Sequence, residues 1–445
     1  MNIAAQLWQL VEVFGALAVA VTVLAAIVRW PGFGLSVVSA FAVIHWEYPR
    51  APGVGTLAGF DVYTDDLAIM ALSGAAVVNL VRGRVRLRGI HWAALALTAC
   101  LGASTLAGLA SGSIGNVVVE ARPMLFVALA IVWALTVAWD SEAHRLRTIR
   151  RVAVGTAIAL IMAAMYHVAR FGFGRVDEFI VNADGSLGQT SRPLTAAQAM
   201  MLLLMLCAVV GTATGANRRS STVVTLLGIA AIVASQQRTV WVALAAVALV
   251  MWLRTSGANR VRALALSIVL MATIGVVVAG GWVGRAVGGA FDAAFGGGTY
   301  EGRVLGWKAL LDQAYAGGPE VVVFGRPFGS GFGRYEGAGV WVEWAPHNHY
   351  LTVFLRGGIL ALIALVWFLV AALRRTVAIE HGGWITGAWV ALAIMCWTYT
   401  LPWFLVPLAT LALGMPMVTK RVDEDRGSSS LRRTKPTSVR RPALA

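Results

Sequence analysis

Long apolar runs alternate with short polar loops along nearly the whole chain. Runs of spanning or near-spanning length fall at about 8–28, 33–46, 66–81, 91–110, 122–139, 152–168, 195–213, 221–237, 239–253, 263–281, 349–373, 384–400 and 402–419. Two pairs, 221–237/239–253 and 384–400/402–419, are separated by almost nothing, so the pattern predicts about 12 or 13 transmembrane helices. The expected fold class is all-α: a polytopic integral membrane protein whose membrane domain occupies 1–419. One large loop, 282–348, separates the tenth and eleventh runs. The first run has no basic segment ahead of it, which predicts a retained helix rather than a cleaved signal peptide. The segment 420–445 combines Ser428-Ser429-Ser430 with the pairs Arg432-Arg433 and Arg440-Arg441 and lacks apolar periodicity. It reads as a disordered basic extension near anionic lipid.

Composition narrows this picture. Of 445 residues, 58% are hydrophobic and 13% charged, which excludes an ordinary soluble enzyme. Cys100, Cys207 and Cys396 all lie in apolar runs, where neither a disulfide framework nor a CxxC metal site can be read. The spans also lack the midplane Asp, Glu or Lys of ion-coupled transporters; Glu12, near one end of the first run, is the main exception.

The formal charge of +15 would point to nucleic acid in a soluble protein. In a membrane protein basic residues first report orientation, and no nucleic-acid partner is expected. Arg29, then Arg82, Arg84, Arg86 and Arg88, then Arg145, Arg147, Arg150 and Arg151, then Arg218 and Arg219, then Arg254, Arg260 and Arg262, then Arg374 and Arg375 fall in every second loop. That predicts a multi-pass protein of the cytoplasmic (inner) membrane with its N-terminus outside and the tail from Lys420 inside. The stretches 47–65, 169–194 and 282–348 then lie outside. Divided this way, the inner side carries +18 and the rest −3, so arginines on the outer side need a local reason.

Polar residues collect in loop 282–348. Tyr300 to Asp312 has the spacing of an amphipathic helix, with Arg303, Trp307 and Leu310 on one side and Leu305, Ala309 and Asp312 on another. In Phe324 to Tyr335, glycines including Gly331 let backbone amides approach an anion, and Arg326 and Arg334 could neutralise one; plain turn formation is the alternative. The loop closes with Pro346-His347-Asn348-His349-Tyr350. A neutral imidazole there can take a proton from a hydroxyl near pH 7, whereas zinc is disfavoured because no Cys, Asp or Glu stands at ligand spacing. Arg238, in Ser235-Gln236-Gln237-Arg238-Thr239-Val240-Trp241, sits at the outer end of a hairpin, where it either snorkels to the interface or meets an anion. Arg192, in Ser191-Arg192-Pro193-Leu194, is placed similarly.

These motifs, in this order, resemble the O-antigen ligase and O-antigen polymerase family. His347-Asn348, with nine residues between it and Gly358, is similar to the family's His-Asn-and-distant-Gly signature. Arg303 to Ala309, followed by Gly325 and Gly331-Phe332-Gly333, resembles its outer-loop pattern; Ser235 to Trp241 resembles its hairpin motif. Asp65-Asp66-Leu67 and Arg192-Pro193-Leu194, each opening a helix, also fit. Two positions depart: Arg356 stands where an acidic residue is frequent, and Ala361 replaces a second glycine.

The resemblance implies a fold like that of the C-type glycosyltransferases and a metal-independent, inverting transfer without cofactor. The donor would be a polyprenyl-diphosphate-linked glycan, and the acceptor another glycan or lipid-linked chain. His347 would be the base and Arg303 and Arg238 the diphosphate clamp, with Asn348, His349, Trp307, Arg192, Arg326 and Gly331 around the substrate. The competing class is a lipid-linked-oligosaccharide flippase or other polysaccharide transporter, which would place charges near the midplane.

Overall fold

The computed structural model describes residues 18–45, 53–57, 60–83, 85, 87–172, 179–181, 187–190, 192–254, 298–336, 340–379 and 382–414. The tenth apolar run, the first part of the outer loop, Glu12 and the basic tail lie outside the described residues. The described chain is mostly helical: α1 Ala18–Arg29, α2 Pro31–Ile44, α3 Thr64–Val81, α4 Gly89–Ser111, α5 Ile114–Thr136, α6 Glu142–Phe171, α7 Ala196–Gly211, α8 Arg218–Ala234, α9 Arg238–Arg254, α10 Gly298–Ala316, α11 Pro319–Phe324, α12 His349–Val377, α13 Gly383–Thr398 and α14 Val406–Ala412.

Five of these, α3, α4, α5, α6 and α12, are long and apolar enough to cross a membrane. A sixth span results if α1 and α2, bent by 114° at Trp30, count as one. α7 and α13, at 16 residues each, reach about 24 Å, short of a hydrocarbon core of about 30 Å. The last run, 402–419, begins as a 3-10 turn at Trp403–Leu405 followed by the seven residues of α14. The helices carry many large apolar side chains on the surface, among them Met70, Val81, Leu106, Val119 and Ile363, each more than half exposed. In water so many would be a liability, and in lipid they are ordinary.

Strands occur as well. Three antiparallel hairpins, Gly53–Leu57 with Phe60–Tyr63, Phe179–Val181 with Leu187–Thr190, and Arg334–Glu336 with Val340–Val342, occupy the three long loops that the charge pattern groups together. Their cause is local: short, turn-rich stretches too brief to make a helix close on themselves.

The core is organised around α7, whose residues from Ala196 to Val209 are all buried. Small residues let its neighbours close in: Gly211 lies against the Trp384 ring and Gly228 against Leu206. A second apolar cluster joins α4, α5 and α12 through Leu97, Leu101, Val117, Met124, Val353 and Leu365, with Phe328 of the outer loop inserted among them. A third, Leu310, Ala314, Phe332, Leu351, Phe354 and Leu355, seats α10 on the first turns of α12. The outer loop is therefore docked on the helices by two hydrophobic contacts of its own.

Candidate functional site

The segment around His347 is held by its neighbours. Asn348 is the N-cap of α12: its Oδ1 accepts from the Leu351 N–H at 3.0 Å, and its own N–H donates to the Pro346 carbonyl at 2.6 Å. Thr352 Oγ1 donates back to the Asn348 carbonyl at 2.8 Å. The backbone is thus tied on both sides of His347, whose side chain is exposed. His349 is buried, and its Nδ1 accepts from the Leu401 N–H at 3.3 Å; Tyr350 donates its hydroxyl to the Ala393 carbonyl at 3.1 Å. Both bonds fasten the start of α12 to the end of α13. Their consequence is the position of Tyr399, the C-cap of α13, whose ring meets the His347 ring edge to face at 6.1 Å.

Nine residues separate Asn348 from Gly358 because they form one half-helix, about 13 Å long. At Gly358 the helix breaks, with φ 66° and ψ −166°, and a side chain there would collide with the Val323 carbonyl. Gly325 meets the break from the other side: a methyl group on it would lie 2.6 Å from the Arg356 carbonyl carbon. The interruption leaves the Leu355 carbonyl without its helical partner, and the Arg326 N–H supplies one at 2.8 Å.

Arg303 and Trp307 lie one turn apart on α10, on the stripe that continues through buried Leu310 and Ala314. Docking that stripe carries Arg303 over the other part of the Tyr399 surroundings, its guanidinium carbon 5.8 Å from the ring centroid, and sets Trp307 edge to face with Trp397 at 6.0 Å. Arg238 opens α9, exposed, after a turn in which Gln236 takes φ 56°, the one positive φ outside glycine among the described residues. Trp241 Nε1 donates to the Ile232 carbonyl at 3.2 Å, which braces the hairpin, and Gln237 Nε2 donates to the Leu194 carbonyl at 3.4 Å, which ties it to the Arg192-Pro193-Leu194 segment. Arg238 consequently lies within electrostatic reach of Arg192, Arg303 and Tyr399. Segments distant in sequence bring the guanidinium groups of Arg238 and Arg303 and the His347 imidazole to a single tyrosine, with Arg192 near Arg238. Like charges gathered this way raise the local positive potential and favour a multiply charged anion among them.

Arg326 and Gly331 belong to a neighbouring network. Arg326 donates to the Gln313 carbonyl at 2.8 Å, and Arg334, buried, to the carbonyls of Phe332 at 3.1 Å and Trp344 at 2.8 Å. Both guanidinium groups thus bind loop backbone. Glu120 of α5 accepts from the Gly329 N–H at 2.9 Å and the Gly331 N–H at 2.7 Å, and pairs with Arg356 at 2.8 Å. Arg356, 1% exposed, also donates to Ser330 Oγ at 2.8 Å and the Gly331 carbonyl at 2.6 Å and stacks 4.0 Å over the Phe332 ring. Sequence reasoning passed over Glu120 and Tyr399. Glu120 falls between the runs 91–110 and 122–139, and only the earlier start of α5, at Ile114, puts it on a spanning helix where a buried arginine can meet it.

No protein-family model matches the chain, and no curated protein matches it.

Proposed function

We propose that this protein is a membrane glycosyltransferase of the O-antigen ligase and polymerase type, acting on the outer face of the cytoplasmic membrane. The observation that carries the reading is the convergence of Arg238, Arg303 and His347 on Tyr399, with Arg192 near Arg238. Three guanidinium groups can neutralise a polyprenyl diphosphate, the anion that the reaction must stabilise as it leaves. His347 accepts the proton of the acceptor hydroxyl while that oxygen bonds to the anomeric carbon. The bond from that carbon to the diphosphate oxygen breaks with its electron pair, on the opposite face of the sugar, so configuration inverts. Tyr399 keeps the base and Arg303 in fixed relation, and Trp307 offers an aromatic surface beside them. A deletion strain tests the reading through its surface glycan. Shortened chains indicate a polymerase, full chains left on the polyprenyl carrier indicate a ligase, and an unchanged glycan profile refutes both.

A further inference from the structure

The hairpin of Arg334–Glu336 with Val340–Val342 divides its side chains by the two-residue period of a strand. Arg334 and its cross-strand partner Val342 are buried, whereas Tyr335 and its partner Trp341 face out, 66% and 51% exposed. Glu343 and Trp344, which follow, are exposed as well, Trp344 at 60%. Three large rings left open on one short piece of chain make an apolar patch of the kind that marks an interaction surface.

The patch is held stiffly. Buried Arg334 donates to the Trp344 carbonyl at 2.8 Å, Gln313 of α10 donates to the Gly333 carbonyl at 3.1 Å, and Phe332 packs on the first turns of α12. Tyr335 and Trp341 meet edge to face with centroids 4.9 Å apart, and the Trp341 ring lies against Gly333, where any side chain would collide with it. Trp341 Nε1 donates to Glu343 at 2.9 Å. From there the chain runs directly to the candidate base: Trp344 is three residues ahead of His347, within about 11 Å even when fully extended.

The chemistry of this face selects its occupant. In an aromatic belt at a membrane surface, the ring enters the hydrocarbon boundary and its polar tip faces the headgroups. Here the Trp341 N–H is taken by the chain's own Glu343, and an exposed carboxylate among the rings is repelled by anionic headgroups. A sugar ring fits both features, with apolar C–H faces for the flat aromatic surfaces and hydroxyls that donate to the carboxylate. We propose that Tyr335, Trp341, Glu343 and Trp344 form a subsite that holds a stretch of glycan chain and leads it to His347. The choice of glycan rests on the transferase reading, while the binding itself needs no turnover.

Hydroxyl-radical footprinting of the full-length protein in lipid nanodiscs tests it. The probe is the oligosaccharide released by mild acid from the surface polysaccharide of the strain that makes the protein. Without probe, Trp341 and Trp344 should oxidise readily; protection by the bilayer alone would assign the face to the membrane and overturn the subsite. Adding probe should slow their oxidation by at least about threefold. No protection, or equal protection of the exposed Tyr166 and Tyr315, would overturn it. In the titration, Trp341→Ala and Trp344→Ala should each weaken binding about tenfold, as loss of a buried indole contact does, and Trp341→Phe, which keeps a ring, should stay within about threefold. Wild-type affinity in both alanine variants would overturn the proposal. Glycan transfer by a protein that fails these tests removes the subsite and leaves the transferase reading standing; binding through these rings without transfer does the reverse.

Discussion

Glu120→Gln removes the charge that balances Arg356 while keeping the size of the side chain. Taking one partner from a buried ion pair costs about 3–5 kcal/mol, because the other charge is left without compensation. Arg356 is 1% exposed, but it keeps Ser330, the Gly331 carbonyl and the Phe332 ring, and the Glu120 side chain retains 13% exposure. The low end, about 3 kcal/mol, is therefore expected. Glutamine also cannot accept from Gly329 and Gly331 with both side-chain atoms, since one of them is now a donor. The pair joins α5 and α12 to the loop, so the first event on breaking it is local release of residues 328–333 rather than global unfolding. At tenfold per 1.4 kcal/mol, the Gly329 and Gly331 amides should exchange hydrogen about a hundredfold faster. Exchange mass spectrometry on a peptide covering 325–335, with α7 peptides as reference, reads this directly. Glu120→Gln/Arg356→Gln should cost less than the two single changes added, because no charge is then stranded. Exchange within threefold of wild type would refute the latch, and so would acceleration spread equally over α7.

Three further predictions concern the site. Arg303→Lys should lower glycan transfer by at least tenfold, because an ammonium cannot reproduce the two-pronged contact of guanidinium with phosphate; measured initial rates at wild-type levels would remove Arg303 from the clamp. Tyr399→Phe keeps the ring that meets Arg303 and His347 and should stay within about threefold. Tyr399→Ala gives up a cation–π contact and an edge-to-face pair, together about 1–2 kcal/mol, and should lose at least fivefold in the same assay. Gly358→Ala places a side chain at φ 66° and against Val323, so folded protein recovered in detergent should fall sharply by size-exclusion chromatography.

Much of the scaffold is legible in the apolar pattern, because helices that face lipid must be apolar over a full crossing. α3, α4, α5, α6 and α12 read this way. So do α7 and α13, which begin and end within two residues of the runs 195–213 and 384–400; what the pattern does not show is that α7 is buried on every side, because its sequence has no distinct face. The outer hairpins were equally invisible to a helical period, as strands of three to five residues carry no usable alternation. At the site, charged and ring-bearing residues in outer loops were conspicuous, and Arg192, Arg238, Arg303 and His347 do come together. Tyr399 was hidden because its position depends on the bond from Leu401 to His349, a contact between segments 52 residues apart. For the same reason His349, conspicuous beside His347, proves to be a buried anchor, and Arg326 binds loop backbone.

The proposed transferase reading stands or falls with His347. Purified wild-type protein in detergent, given a polyprenyl-diphosphate-linked glycan and an acceptor, should form the glycosidic product with no membrane to cross. His347→Ala should lose about 100- to 10,000-fold of that rate, the usual contribution of a general base, while its thermal unfolding temperature stays at the wild-type value. Undiminished turnover by His347→Ala, or no turnover by the wild type under conditions where it is folded, would contradict the account.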